Sequence, residues 1–213
     1  MNERAPADIV DLERRAAPRQ RRSQERIAKI VAATKRLLRE GDTDSITTSS
    51  VAAEANVPVS SVYRYFPNIY SIHRTILEEF KSEIERIVER ELNDPAQQDW
   101  RQSLSGVIMA LRTLVSENPF YGAVFRLTLT THELRTVRET WNLRLSGILA
   151  ERWRAGKDGF HGGDPDRVAR MTIEIYCAAE IMIFEARDKP EEAEAYFAEA
   201  LVALQRYLEP YLK

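Results

Sequence analysis

At 213 residues with a formal net charge of −2, the chain is long enough to bury a core, in one domain or two small ones. Eight Gly, nine Pro and long stretches rich in Ala, Leu, Glu and Arg favour helix, and no apolar run reaches the roughly 18 residues of a membrane span. The charged N-terminus lacks the apolar segment of a signal peptide, and the single Cys177 excludes an internal disulfide or cysteine-cluster metal site, so a cytoplasmic location is expected.

The charge is unevenly placed. Through Phe66, twelve Lys and Arg face nine acids, so the front third is +3 and the remainder −5. Between Arg14 and Arg39, ten basic residues stand against Glu25 alone. A net-acidic chain that concentrates positive charge in one short block carries a localised footprint for a polyanion. Residues 1–22 read as a basic, flexible arm; the alternative for residues 1–20 is a solvated, disordered tail.

The first helix is predicted over about Ser23 to Glu40, where Ile27, Ile30, Val31, Thr34, Leu37 and Leu38 keep helical spacing and Gly41 is a stop. Arg22, Arg26, Lys29 and Arg36 make its other face basic. After a polar connection, Thr47 can cap a short second helix that ends near Ala55. Val51, Ala52 and Ala55 give that helix a small inward face, as a steep helix crossing requires. Asn56 falls where the turn needs a left-handed residue, and Pro58 is expected in the first position of a third helix. This helix stops at Phe66-Pro67, and Asn68 caps a long fourth one over about Ile69–Leu92. Two short helices joined by a tight turn, the second carrying small polar residues, an Arg and two Tyr, suit insertion into a DNA major groove.

Everything behind also reads as helix: near Asp99–Glu117, Phe120–Leu129, His132–Ala155, Pro165–Arg187 and Lys189–Leu208. Residues 156–163 (GKDGFHGG) match no phosphate-binding spacing and read as a flexible connector. The helix from Pro165 is apolar almost all round, which demands burial on every side. A core on one face and a second copy of the chain on the other satisfies that demand. The last helix can join it in a four-helix interface, and the alternative is the central helix of a monomer.

The segment 47–68 resembles the front end of the TetR family of transcriptional regulators. The matching residues are Thr47-Thr48, Val51-Ala52, Ala55-Asn56-Val57, Tyr63-Arg64-Tyr65-Phe66 and Asn68. The resemblance is specific over about Ile27–Leu77 and continues behind it as a helix count. It implies an all-α fold of about nine helices, with a helix-turn-helix DNA-binding domain over 23–68 and an effector-binding and dimerisation domain over 69–213. By the same resemblance, Thr47, Thr48 and Ser49 would hold a phosphate, as would the hydroxyls of Tyr63 and Tyr65, with Asn68 beside them. Val59, Ser60, Ser61 and Arg64 would face the bases, Arg64 donating twice to a guanine. Arg21 and Arg22, with Arg19, would enter a neighbouring minor groove or only add charge. The sequence departs from the family pattern at three positions: Asn56 replaces the turn glycine, Pro58 a capping serine, and Ile69 a lysine.

The implied partners are double-stranded DNA with a palindromic operator, a second copy bound through the last two helices, and an unidentified small-molecule effector that releases a repressor. Trp100, Tyr121, Phe125, Trp141, Tyr176 and Glu180 are the pocket candidates, with Trp153 and Glu174 in the same region. Aromatics at helical spacing are also what a plain core contains. No cofactor is expected, and the three histidines (His73, His132, His161) lack metal-ligand spacing. Two alternatives compete: an architectural DNA-binding dimer without an effector, and an all-helical enzyme, for which no nucleophile–base pair is visible.

Overall fold

The computed structural model describes residues 21–40, 43–97 and 99–213. The expected basic arm therefore lies outside the described residues as far as residue 20. The described residues form nine α-helices and no strand. They group into two compact units, one built from the described residues up to Glu79 with Ala123–Arg135, the other from Phe80–Gly122 and Thr136–Lys213. The divisions fall inside helices.

In the first unit, α1 (Arg21–Glu40) begins two residues ahead of the sequence expectation and turns Ile27, Ile30, Val31, Ala33 and Leu38 inward. A 3-10 turn at Thr43–Ser45 leads to α2 (Thr48–Glu54), which packs against both α1 and α3 (Val59–Tyr65). The small inward face of α2 does what the sequence requires of it: Val51, Ala52 and Ala55 are buried where the helices meet. Val62 and Phe66 close this core from α3, and Ile72, Ile76 and Leu77 from α4 (Ile69–Leu92).

In the second unit, α8 (Pro165–Glu185) and α9 (Pro190–Leu208) form the main helix pair, with α5 (Trp100–Glu117) against α9. Ile108, Phe197 and Leu204 form one buried cluster there, covered by Tyr176, Ile183 and Leu201. Trp100, Trp153, Val168, Leu208 and Leu212 form another. The helices α6 (Phe120–Thr130) and α7 (His132–Arg154) span the two units. Asp164 accepts from Asp166 N–H at 3.0 Å and Pro165 takes the first helical position of α8, as the sequence indicates. Pro190 does the same for α9.

Two local expectations need correction. Pro58 is the N-cap of α3, at φ −59° and ψ 142°, and not its first helical residue. Its ring fixes φ but leaves ψ extended, and its carbonyl accepts from Ser61 N–H at 2.8 Å to close the first turn. Residues 156–163 are also more than a loose connector. Asp158, at φ 58°, accepts from Arg152 at 2.6 and 2.7 Å and from Trp153 Nε1 at 3.2 Å. Its carbonyl accepts from Lys213 N–H at 3.0 Å, while His161 N–H donates to Tyr211 O at 3.0 Å. A charge-assisted, largely buried pair holds a non-glycine residue in left-handed backbone. Gly156, Gly159 and Gly163, all at positive φ, absorb the remaining turns.

Candidate nucleic-acid interface

The entry to α2 is built by Thr47. Its Oγ1 accepts from Ser50 N–H at 3.1 Å, and Ser50 Oγ accepts from Thr47 N–H at 2.9 Å, a reciprocal capping box. Ser50 is a residue the sequence reading missed, because the motif usually carries Glu or Gln there. Thr48 is buried, with its hydroxyl 2.9 Å from the Tyr63 hydroxyl, so a side-chain bond ties α2 to α3. Ser49 is exposed.

Asn56 sits at φ 51°, the left-handed turn position for which the family pattern carries glycine. The helix that follows turns Val62 fully inward and Val59, Ser60, Tyr63 and Arg64 outward. These four recur at i, i+1, i+4 and i+5, so they make one exposed face; Val59 is 38% and Tyr63 45% exposed, high values for such apolar bodies. Ser61 and Tyr65 are half-buried, and Tyr65 Oη lies 3.5 Å from Ser23 Oγ of α1. Asn68 uses its Oδ1 to accept from Ser71 N–H at 2.9 Å, capping α4.

Arg21 and Arg22 are exposed in the first turn of α1, Arg21 paired with Glu25 at 2.9 Å. The basic face expected of α1 is only partly available. Arg36 donates to Glu54 at 2.5 Å and so neutralises the one acid of α2. Arg22, Arg26, Lys29 and Arg39 remain exposed. One exposed helix face flanked by cations and hydroxyls is the arrangement a major-groove reader needs.

The comparisons with known proteins bear on the same residues. The family model described as bacterial regulatory proteins, tetR family, matches residues 30–73. A second, described as the tetracyclin repressor-like C-terminal domain, matches residues 99–208, more than half of the chain. The chain belongs to the TetR family.

It is therefore a DNA-binding transcriptional regulator with a helix-turn-helix at its front and a helical domain behind. No curated protein matches this TetR-family chain by sequence. Among solved structures it is similar to SmeT, the repressor of the Stenotrophomonas maltophilia multidrug efflux pump SmeDEF. That likeness has 20% identity, covers 90% of this chain and 92% of that one, and has a TM-score of 0.69. A SmeT–triclosan complex gives 20%, 89%, 93% and 0.67 in the same order. The fatty acid degradation regulator FadR from Bacillus halodurans gives 17%, 84%, 94% and 0.69. At these identities the likeness is one of fold.

The pocket candidates of this TetR-family regulator are dispersed. Trp100 and Trp153 belong to the cluster that holds Leu208 and Leu212. Phe125 is buried in the unit that contains the reading head, and Trp141 in the other. Tyr121 stacks on Phe80 at 3.8 Å, and Tyr176 shares the α8 face of Glu180. Among the described residues no group of three His, Cys, Asp or Glu could hold a metal, and no helix is long and apolar enough to cross a membrane.

Proposed function

We propose that this chain is a homodimeric repressor that holds a palindromic operator through two copies of α3 and lets go when a small molecule binds its C-terminal domain. The observation that carries the reading is the exposed Val59–Ser60–Tyr63–Arg64 face, fixed on a buried Val62–Phe66 core. In this reading 23–68 is the head and 69–213 the body. Arg64 and Val59 address base edges, with Ser60 and Ser61 between them. Thr47, Thr48, Ser49, Tyr63, Tyr65 and Asn68 fix the phosphates, and Arg21 and Arg22 add charge at the flank.

Dimerisation is supported by what α8 and α9 leave uncovered. Met171 (49% exposed), Ala178 and Met182 (45%) line one side of α8, and Val202 with Ala195 and Ala198 one side of α9. A second copy of the chain is the occupant that suits this stripe, because a palindrome needs two heads about 34–36 Å apart. The α4 rod starts directly after Asn68, so an effector that favours one arrangement of α4 alters that spacing. By reciprocity, DNA weakens the effector to the same degree.

The test is a thermal-shift screen of the purified protein with hydrophobic small molecules, followed by competition against bound operator DNA. A compound that raises the melting temperature and releases the DNA supports the proposal. Operator binding that no stabilising compound releases would leave a DNA-binding dimer without an effector.

A further inference from the structure

The C-terminal unit holds a cavity of about 250 Å³ where the end of α4, the 93–99 segment and the start of α5 meet the 156–163 loop. Tyr121, Phe125, Trp141, Tyr176 and Glu180 take no part in its lining. Leu92 and Trp100 give it an apolar wall, and Asp94, Gln97, Asp99 and Ser103 a polar one. Arg152 and Asp158, joined at 2.6 and 2.7 Å, form a further wall that carries no net charge. That wall is braced from behind, because Asp158 also accepts from Trp153 Nε1 at 3.2 Å and from Lys213 N–H at 3.0 Å.

The polar atoms of this cavity are incompletely matched. Trp100 is only 3% exposed, and its indole N–H has no acceptor among the described residues. An unpaired buried donor is costly, and native proteins leave few of them. Asp94 Oδ1 accepts from Ala96 N–H at 2.9 Å, and Asp99 Oδ1 from Arg101 and Gln102 N–H at 2.8 and 2.9 Å. Among the described residues neither carboxylate has an ion pair, and the second oxygen of each has no donor. The Gln97 amide can both donate and accept, and Ser103 Oγ, which donates to Asp99 O at 3.2 Å, can still accept.

An occupant must therefore donate to carboxylates and accept from an indole within one small volume. Ammonium groups and metal ions cannot accept from an N–H, and an anion would face two acids. Hydroxyl groups do both, and the C–H edges of a ring can pack on Leu92 and the indole. The volume lies just under the roughly 300–1,000 Å³ of drug-sized pockets, which limits the guest to about one ring. We infer that this cavity is a binding site for a neutral polyhydroxylated ring, a monosaccharide or cyclitol, held by Asp94, Asp99 and the Trp100 N–H. Such a ring replaces several waters at once while keeping their hydrogen bonds. The site goes beyond the repressor reading and stands whether or not its occupant releases DNA.

Saturation-transfer NMR of the full chain with glucose, galactose, mannose and myo-inositol, each up to about 10 mM, tests the assignment. At least one of them should bind, and glucuronate and spermidine should bind at least about tenfold more weakly than it does. Trp100→Phe keeps a ring and removes the N–H, and Asp94→Asn keeps the shape and removes the charge. Each should weaken the bound polyol by about fivefold or more. No binding by any of the four, which would leave a merely hydrated cavity, overturns the inference. So does tighter binding of glucuronate or spermidine, or an affinity that neither substitution changes. Should Trp100→Phe fail to fold, Asp94→Asn and the wild-type series decide.

Discussion

Arg64 and Tyr63 are neighbours on one exposed face, yet their chemistry separates their roles. A guanidinium can donate twice to a guanine edge, and in the proposed reading the phenol, held 2.9 Å from the Thr48 hydroxyl, meets a phosphate. Arg64→Ala should relax sequence preference by about 1–3 kcal/mol, and Tyr63→Phe should weaken specific and random DNA alike. Competition binding on operator and scrambled duplexes distinguishes them; equal losses for Arg64→Ala on both would remove it from the base readers. His73, far less conspicuous in the sequence, is 2% exposed with neither ring nitrogen hydrogen-bonded. Burial depresses its ring from 6.5 to about 4, so the unfolded chain takes up a proton before the folded one does. Stability present above pH 6.5 is therefore lost as the pH falls toward 4, by roughly 3 kcal/mol from this residue. His73→Leu should flatten that acid limb in denaturant titrations at pH 7.5 and 5. Glu180 acts in the opposite sense: its raised carboxyl costs stability as pH rises from 4.5 through about 8, and Glu180→Gln should remove that decline.

At the scale of the element, one cap starts a helix and one close approach fixes how two helices meet. The capping box at Thr47 satisfies amides at the start of a seven-residue helix too short to hold itself together. Thr47→Ala should cost about 1 kcal/mol and lower DNA affinity with it, readable in parallel by chemical denaturation and anisotropy. Gly122→Ala should cost about 1–3 kcal/mol, because its methyl would fall on the Phe184 ring. The head was largely legible from sequence because its signals are local: Thr47 caps, Asn56 adopts a left-handed turn, and Pro67 ends a helix. The nine helices were legible for the same reason, their apolar spacing and proline starts being written within each segment. What sequence could not show depends on contacts across long separations. The bond from Thr48 to Tyr63, the Arg36–Glu54 pair and the Phe184–Gly122 contact have no local signature. Nor has the tethering of residues 156–163, where glycine content suggested looseness and Asp158 supplies the anchor. Pro58 missed its expected place by one residue, since its fixed φ suits both the cap and the first turn.

For the whole molecule, the proposed dimer sets two heads on one operator. Met182→Arg places a charge in the exposed stripe of α8 without touching the head, and should convert dimer to monomer in sedimentation. Its operator affinity should fall by at least about tenfold, since each head then binds alone. Arg22, Arg26 and Lys29 lie exposed on α1, so binding to any DNA should weaken steeply with salt. The most direct test is fluorescence anisotropy of the purified protein on DNA from upstream of its own gene, against scrambled DNA at physiological salt. Tight, salt-sensitive binding at two subunits per site, or multiples of two, is the predicted result. Equally weak binding to both sequences, repeated across fragments selected from the whole genome, would contradict a sequence-specific reader.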